Sequence, residues 1–159
     1  MNLVPRLAIT AGDPCGVGPE VVLKALGDPG VRAACRPLVV GDRLDTDVLG
    51  AVRARADSLL VLTGVVDLPA LLGAPLGSRP AFVAADLRGL MCPQPAVRRG
   101  PRSAECGPVR AQLADGVISV EGAGEDVPGS VAALRAVCAL AWQAVDDGSA
   151  VPRLEGYAP

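Results

Sequence analysis

The most informative stretch of this chain is Leu7-Ala-Ile-Thr10-Ala-Gly12-Asp13-Pro14-Cys15-Gly16-Val17-Gly18-Pro19-Glu20. Its apolar start predicts a short strand over residues 7–10. The three glycines that follow let the backbone turn tightly and come close to a ligand. Pro19 suits the first turn of a helix and Glu20 complements the positive end of the helix dipole, so we expect a helix over residues 19–26.

The turn between this strand and helix is a candidate ligand loop. Unpaired N–H groups at a helix start suit an anion or phosphate, and ligand contacts in open α/β sheets collect where strands end. The candidate binding residues are therefore Gly12, Asp13, Gly16 and Gly18. The Walker A pattern is absent, and Val21 stands where the dinucleotide fingerprint needs glycine or alanine. An ordinary strand–helix turn is the alternative.

Strand and helix patterns alternate through the first half of the chain. Apolar runs at residues 37–41, 58–63 and 81–85 predict strands, and residues 44–56 have helical spacing. A β-α-β-α-β order predicts an α/β fold with a largely parallel sheet. We assign residues 1–88 to this segment. Asp42, at the end of the second strand, imitates the ribose-binding acid of dinucleotide folds.

Later parts of the chain have a weaker pattern. Residues 89–129 are rich in glycine and proline and show no persistent period, which predicts a linker or a long excursion. Residues 130–145 have one apolar face, with Ser130 as a candidate helix N-cap. We therefore expect residues 130–159 to form a helix followed by an irregular tail.

The composition excludes several classes of function. The 159 residues include no histidine, which removes His-based acid–base catalysis and every histidine metal site. A net charge of −2 gives no electrostatic reason to expect nucleic acid or an anionic membrane as partner. The five cysteines contain no C-x-x-C pair, so a zinc site is not expected. With no spanning segment and no signal peptide pattern, we expect a cytoplasmic protein.

The glycine-rich stretch resembles the opening of the 4-hydroxythreonine-4-phosphate dehydrogenase family of pyridoxal 5'-phosphate (vitamin B6) biosynthesis. The family signature Ile-Thr-x-Gly-Asp-Pro-x-Gly-[Ile/Val]-Gly-Pro-Glu is matched from Ile9 to Glu20, and Pro37-Leu-Val-Val-Gly-Asp42-Arg43 looks like the family's second strand. Two strings are similar to a Ser-Ala-Glu-x-Gly string that precedes a helix in that family. Ser103-Ala-Glu105-Cys106-Gly107 fits it without a helix directly after it, and Gly116-Val-Ile-Ser119-Val-Glu121-Gly122 is a looser fit that leads into the helix expected from Ser130.

This resemblance implies an NAD- or NADP-dependent oxidoreductase with a divalent metal, a small phosphorylated substrate and a homodimeric, isocitrate/isopropylmalate dehydrogenase-like fold. The metal histidines and the Gly-His-Thr-Glu substrate motif of the family are missing. We therefore expect an incomplete form of that fold, truncated and inactive alone, with no catalytic or metal residue of the family to assign. A carboxylate metal site from Asp13, Asp42 or Glu105 has no support in the spacing. The alternatives are a non-catalytic binding or dimerisation module, and a remnant without function.

Overall fold

A computed structural model of the chain describes residues 4–13, 15–124 and 127–155. The chain divides into two compact units. The first comprises residues 1–66 and 76–86, and the second residues 67–75 and 87–159. Each unit is built around its own sheet.

The first unit contains a four-stranded parallel sheet. Its strands run in the order β1 (Arg6–Ile9), β2 (Arg36–Gly41), β3 (Asp57–Val61) and β4 (Phe82–Ala84). Its helical segments are α1 (Gly18–Gly27), α2 (Pro29–Ala34), a π-helical turn (Leu44–Val48), α3 (Leu49–Arg53) and a 3-10 turn (Leu76–Ser78). The sheet is parallel because each strand is followed by a crossover segment rather than a tight hairpin. The expectation of an α/β fold with a parallel sheet is confirmed.

Alternating residues of the strands bury both faces of this sheet. One apolar cluster contains Leu38 and Val40 of β2 and Leu59 of β3. The other contains Val39 of β2 and Leu26 of α1, with α3 contributing a buried alanine. Continuous apolar runs such as residues 38–40 and 59–61 are typical of parallel sheets covered on both faces.

The second unit combines a mostly antiparallel sheet with one long helix. The sheet has the order β5 (Val97–Arg99), β6 (Ser103–Cys106), β7 (Val109–Ala114), β8 (Val117–Glu121) and β9 (Arg153–Glu155), and only β9 is paired in parallel. The helical segments are α4 (Leu68–Leu72), a 3-10 turn (Leu87–Leu90) and α5 (Val127–Asp146). Helix α5 packs on the buried face of this sheet and against α4.

Three segments differ from the sequence-based expectations. Residues 44–56 form a π-helical turn and a short α-helix instead of one continuous helix. Residues 89–129, expected to lack a strand period, contain four strands of three to six residues. Part of the expected irregular tail forms β9, and residues 156–159 lie outside the described part.

The short strands in residues 89–129 are held together by hairpin turns. Asp115 and Gly116 both have positive φ, 50° and 75°, between β7 and β8. An Asp-Gly pair is a preferred two-residue hairpin connection because its left-handed backbone matches the twist of the flanking strands. In the described part of the chain, no helix is long and apolar enough to cross a membrane.

Candidate functional site

The carboxyl ends of neighbouring parallel strands bring Asp42 and Thr63 together. Asp42 directly follows β2, and Thr63 lies two residues beyond the end of β3. The Thr63 Oγ1 hydroxyl donates a hydrogen bond of 2.7 Å to Asp42 Oδ2. This contact orients the carboxylate at the edge of the sheet where open α/β folds bind their ligands.

A second carboxylate, that of Asp47, holds the backbone around Asp42. Asp47 Oδ2 accepts the backbone N–H groups of Asp42 and Arg43 at 3.2 and 3.1 Å. A Cβ atom on Gly41 would overlap the Asp47 carboxylate, so only glycine allows this close approach. Burial raises the pKa of Asp47 above its ordinary value, and the two N–H donors oppose that shift.

The Arg43 side chain forms an ion pair with a different carboxylate, that of Asp45. Its Nε and Nη2 atoms donate to the two oxygens of Asp45 at 3.1 and 2.8 Å, a bidentate pair on the surface. The hydrogen bonds of this pair raise the pKa of Arg43 and lower the pKa of Asp45. Three acids thus have three separate arrangements: Asp47 fixes the backbone, Asp45 pairs with Arg43, and Asp42 is oriented by a hydroxyl.

The glycine-rich loop forms the turn between β1 and α1, as the sequence predicts. Gly12 has a φ of +73°. Asp13 caps the turn: its Oδ1 accepts the Cys15 N–H at 2.9 Å and its carbonyl accepts the Gly16 N–H at 2.9 Å. A Cβ on Gly18 would overlap a backbone carbonyl of the same loop.

The start of α1 has the features that make a helix terminus suitable for an anion. The N-cap residue Val17 is exposed and makes no side-chain capping hydrogen bond. The lysine of the chain, Lys24, pairs with Glu20 at 2.6 Å on the surface of α1. Binding at this loop would therefore depend on backbone groups more than on that lysine.

Within the described residues, no group of three or more Cys, Asp and Glu side chains is arranged to hold a metal ion. Asp42 is the carboxylate best placed to contribute a single ligand. From the sequence, Asp42 resembles a ribose-binding acid, and no role is predicted for Asp47. The spacing Gly41-Asp42-x4-Asp47, directly after an apolar strand, is the signal that could have identified this pair.

Comparison with known proteins gives two kinds of match. A HAD-hydrolase-like family model matches residues 18–90, just under half of the chain. The structure matches a crystal structure of a glycerol phosphate phosphatase from Mycobacterium tuberculosis in complex with magnesium, at 30% identity and a TM-score of 0.63. That match covers 87% of this chain and 38% of the phosphatase. The calcium complex of the phosphatase matches with a TM-score of 0.54 and 29% identity.

The matches to 4-hydroxythreonine-4-phosphate dehydrogenases are short. The protein from Trichlorobacter lovleyi is 67% identical over 39 residues, which is 24% of this chain and 12% of that protein. The D-threonate 4-phosphate dehydrogenase from Cupriavidus necator is 51% identical over 49 residues, or 15% of its length. The chain thus spans less than a fifth of these curated relatives.

These findings overturn the assignment to the dehydrogenase family. The resemblance is local, whereas the structural match to the phosphatase covers most of the chain. The isocitrate dehydrogenase-like fold, the NAD or NADP cofactor and the role in vitamin B6 biosynthesis are therefore wrong. A glycine-rich strand–turn–helix serves several ligand classes, so this stretch alone could not decide the family. The divalent metal agrees with the magnesium and calcium complexes of the phosphatase.

Proposed function

We propose that this chain is part of a divalent-cation-dependent hydrolase that acts on small phosphate monoesters. The structural match to a glycerol phosphate phosphatase in complex with magnesium is the observation that carries this proposal. The HAD-hydrolase-like family match over residues 18–90 supports it independently and includes the Gly41–Asp47 turn. The chain covers 38% of the length of that phosphatase.

We assign Asp42 as the protein ligand of the divalent cation. Magnesium is held in phosphate-processing sites by one or two carboxylates, together with waters and substrate phosphate oxygens. A single carboxylate at the sheet edge fits that mode better than an all-protein cage would. Thr63 orients Asp42 through the 2.7 Å hydrogen bond, and Asp47 fixes the backbone that carries it. When bound, the cation supplies charge stabilisation to the phosphoryl oxygens.

The loop carrying Gly12, Asp13, Gly16 and Gly18 is the proposed contact for the substrate phosphate. It follows β1, and Asp42 follows the neighbouring strand β2, so both lie at the same edge of the parallel sheet. Backbone N–H groups at the start of α1 and the helix dipole favour a negatively charged group there. This role replaces the nicotinamide cofactor that the sequence resemblance implied.

The proposed reaction is the hydrolysis of a phosphate ester. A water oxygen forms a bond to phosphorus, the ester P–O bond breaks, and a proton from the water passes to the departing alkoxide. The products are inorganic phosphate and the alcohol, with no change of oxidation state. The chain's own contribution is to position the substrate and its cation, which is the main catalytic requirement in phosphoryl transfer.

Phosphate release from glycerol phosphate, measured with and without Mg²⁺, tests this function. We expect release that depends on the cation and falls at least about 100-fold in Asp42→Asn, because an amide is a poor ligand for a hard cation. Asp57→Asn is the matched control, since Asp57 is an exposed carboxylate at the amino end of β3, the opposite edge of the sheet. Equal rates in wild type and Asp42→Asn would refute the assignment.

A further inference from the structure

Exposed apolar side chains are concentrated near the start of the described chain. Five of the twelve exposed large apolar side chains lie within residues 4–23, among them Leu7 of β1 and Val17 and Val21 at the start of α1. Leu7 lies on the α1 side of the sheet, because it is two residues from Ile9, which packs in the cluster on that side. Single exposed apolar residues need no explanation, whereas a concentration of them is typical of a contact surface.

Helix α1 presents an apolar row away from the core of the unit. Its Val22 and Leu26 side chains pack against the sheet. Val17, Val21 and Ala25 are spaced by four residues and therefore follow one another along a different side of the helix. All three are exposed, Val17 by 77% and Val21 by 59%. We call this row the α1 stripe, and a stripe of this kind is typical of a helix that packs against another element.

Strand β1, over which α1 packs, has a free edge. It stands at one end of the four-stranded sheet, where β2 is its neighbour among the described strands, and three of its four residues are exposed. An edge strand presents unpaired backbone N–H and C=O groups that can pair with a strand of another chain. Strand and helix together thus offer backbone pairing and apolar contact on the same side of the unit.

The charged residues beside the α1 stripe are self-complementary. Glu20 and Lys24 have opposite charge, pair with each other and have side chains 68% and 76% exposed. When two copies of α1 pack antiparallel about Val21, Val17 of one copy meets Ala25 of the other. In the same arrangement, each Glu20 lies beside Lys24 of the other copy. A two-fold axis generates such an interface, in which the same surface is used by both copies.

We propose that the edge of β1 and the α1 stripe join two copies of this chain in a two-fold homodimer. The two β1 strands pair antiparallel, and the two α1 helices pack side by side on one face of the continuous sheet. A partner carrying charge of a single sign would meet a like charge at either Glu20 or Lys24, whereas a second copy satisfies both. This dimer does not depend on phosphate ester hydrolysis.

Sedimentation velocity over about 1–300 µM protein tests the dimer. One short strand and one ten-residue helix from each copy make a small interface, so we expect a reversible monomer–dimer equilibrium with a Kd of about 1–100 µM. Val21→Glu places two like charges at the two-fold axis and should raise this Kd at least about tenfold. Val65→Glu is the matched control, because Val65 is 55% exposed and lies in the same unit outside β1 and α1.

Three results of the sedimentation experiment would overturn the proposal. One is a wild-type protein that stays monomeric up to about 300 µM, well above the expected Kd. Another is an equal effect of the two glutamate substitutions. The third is association that continues beyond the dimer as concentration rises, because a two-fold interface closes on itself.

Glu20→Lys and Lys24→Glu test the antiparallel arrangement without changing the apolar contacts. Each variant alone brings like charges together between the copies and should dimerise at least about tenfold more weakly than the wild type. In an equimolar mixture, one copy carries two positive charges and the other two negative charges, so a heterodimer should form with near wild-type affinity. Undiminished dimers of each variant alone, or the absence of a heterodimer in the mixture, would contradict the arrangement.

Discussion

At the scale of single residues, the contact between Gly41 and Asp47 is a tight steric constraint on the turn after β2. A Cβ at position 41 would overlap the carboxylate that accepts the Asp42 and Arg43 N–H groups. We expect Gly41→Ala to lower the free energy of unfolding by about 1–3 kcal/mol, because the turn must shift to relieve the overlap. Urea denaturation of the purified protein measures this loss.

Gly50 provides the matched control for that substitution. It lies in α3, where an added Cβ meets no atom within 4 Å. Gly50→Ala should be neutral or stabilise the protein by about 0.4–1 kcal/mol, because alanine restricts the unfolded chain and favours a helix. If both alanine variants had equal stability, the contact at Gly41 would not constrain the turn.

Asp47 also makes stability depend on pH. Because burial raises its folded pKa above the ordinary 3.8, the unfolded chain loses this proton first as the pH rises. Asp47 therefore lowers the free energy of unfolding as pH increases through its folded pKa. In Asp47→Asn this contribution disappears. As the pH increases just above 3.8, the free energy of unfolding of this variant should therefore fall less, or rise more, than that of the wild type. Urea midpoints at several pH values check this, and parallel curves would contradict it.

At the scale of elements, Arg32 of α2 connects the ends of two helices. Its Nε donates to the Leu26 carbonyl of α1 at 2.6 Å, and its Nη2 donates to the Ala54 carbonyl directly after α3. We expect Arg32→Ala to cost about 1 kcal/mol, a small effect because the side chain is exposed. Arg36→Ala, at an exposed arginine of β2, should cost less. Equal thermal midpoints would show that these bonds do not stabilise the unit.

In the second unit, Trp142 connects α5 to α4. Its Nε1 donates a buried hydrogen bond of 2.9 Å to the carbonyl of Leu71. Trp142→Phe removes this donor and leaves a smaller ring, so we expect a loss of about 1–3 kcal/mol. Differential scanning calorimetry measures the effect. A variant as stable as the wild type would mean that the hydrogen bond contributes nothing net.

The sequence predicts the parallel part of the fold better than the antiparallel part. Strands β2 and β3 are apolar over residues 38–40 and 59–61, and the glycines and Pro19 define the start of α1, so local patterns identify them. The strands between Val97 and Glu121 are short and alternate polar with small residues, so their pattern is weak. The dipeptides Gly107-Pro108 and Asp115-Gly116 are turn signals in this stretch, and each connects two antiparallel strands.

The π-helical turn could not be predicted from side-chain periodicity. Residues 44–56 have helical spacing, yet Asp47 must reach back to the Asp42 and Arg43 N–H groups. A long-range packing requirement of this kind changes the local backbone geometry without changing the hydrophobic pattern. The same requirement explains why the helical spacing of residues 44–56 does not reveal the role of Asp47.

At the scale of the whole molecule, local similarity and overall similarity point to different families. The dehydrogenase matches cover 24% to 35% of the chain, and the phosphatase match extends over 87% of it. Signature residues near β1 therefore predict the strand–turn–helix that the structure contains, but not the reaction. Asp42, the acid at the end of β2, can be identified from the sequence. Its hydrogen bond with Thr63 is revealed only by the tertiary structure.

The central claim is that Asp42 binds a divalent cation at the edge of the parallel sheet. The most direct test is a Mg²⁺ titration of the ¹⁵N-labelled protein, with wild type, Asp42→Asn and the Asp57→Asn control compared at equal ionic strength. We predict saturable amide shifts around Asp42 and Thr63 in the wild type and the control, and a loss of at least about tenfold in affinity in Asp42→Asn. Identical Mg²⁺ titration curves for all three proteins would contradict the claim.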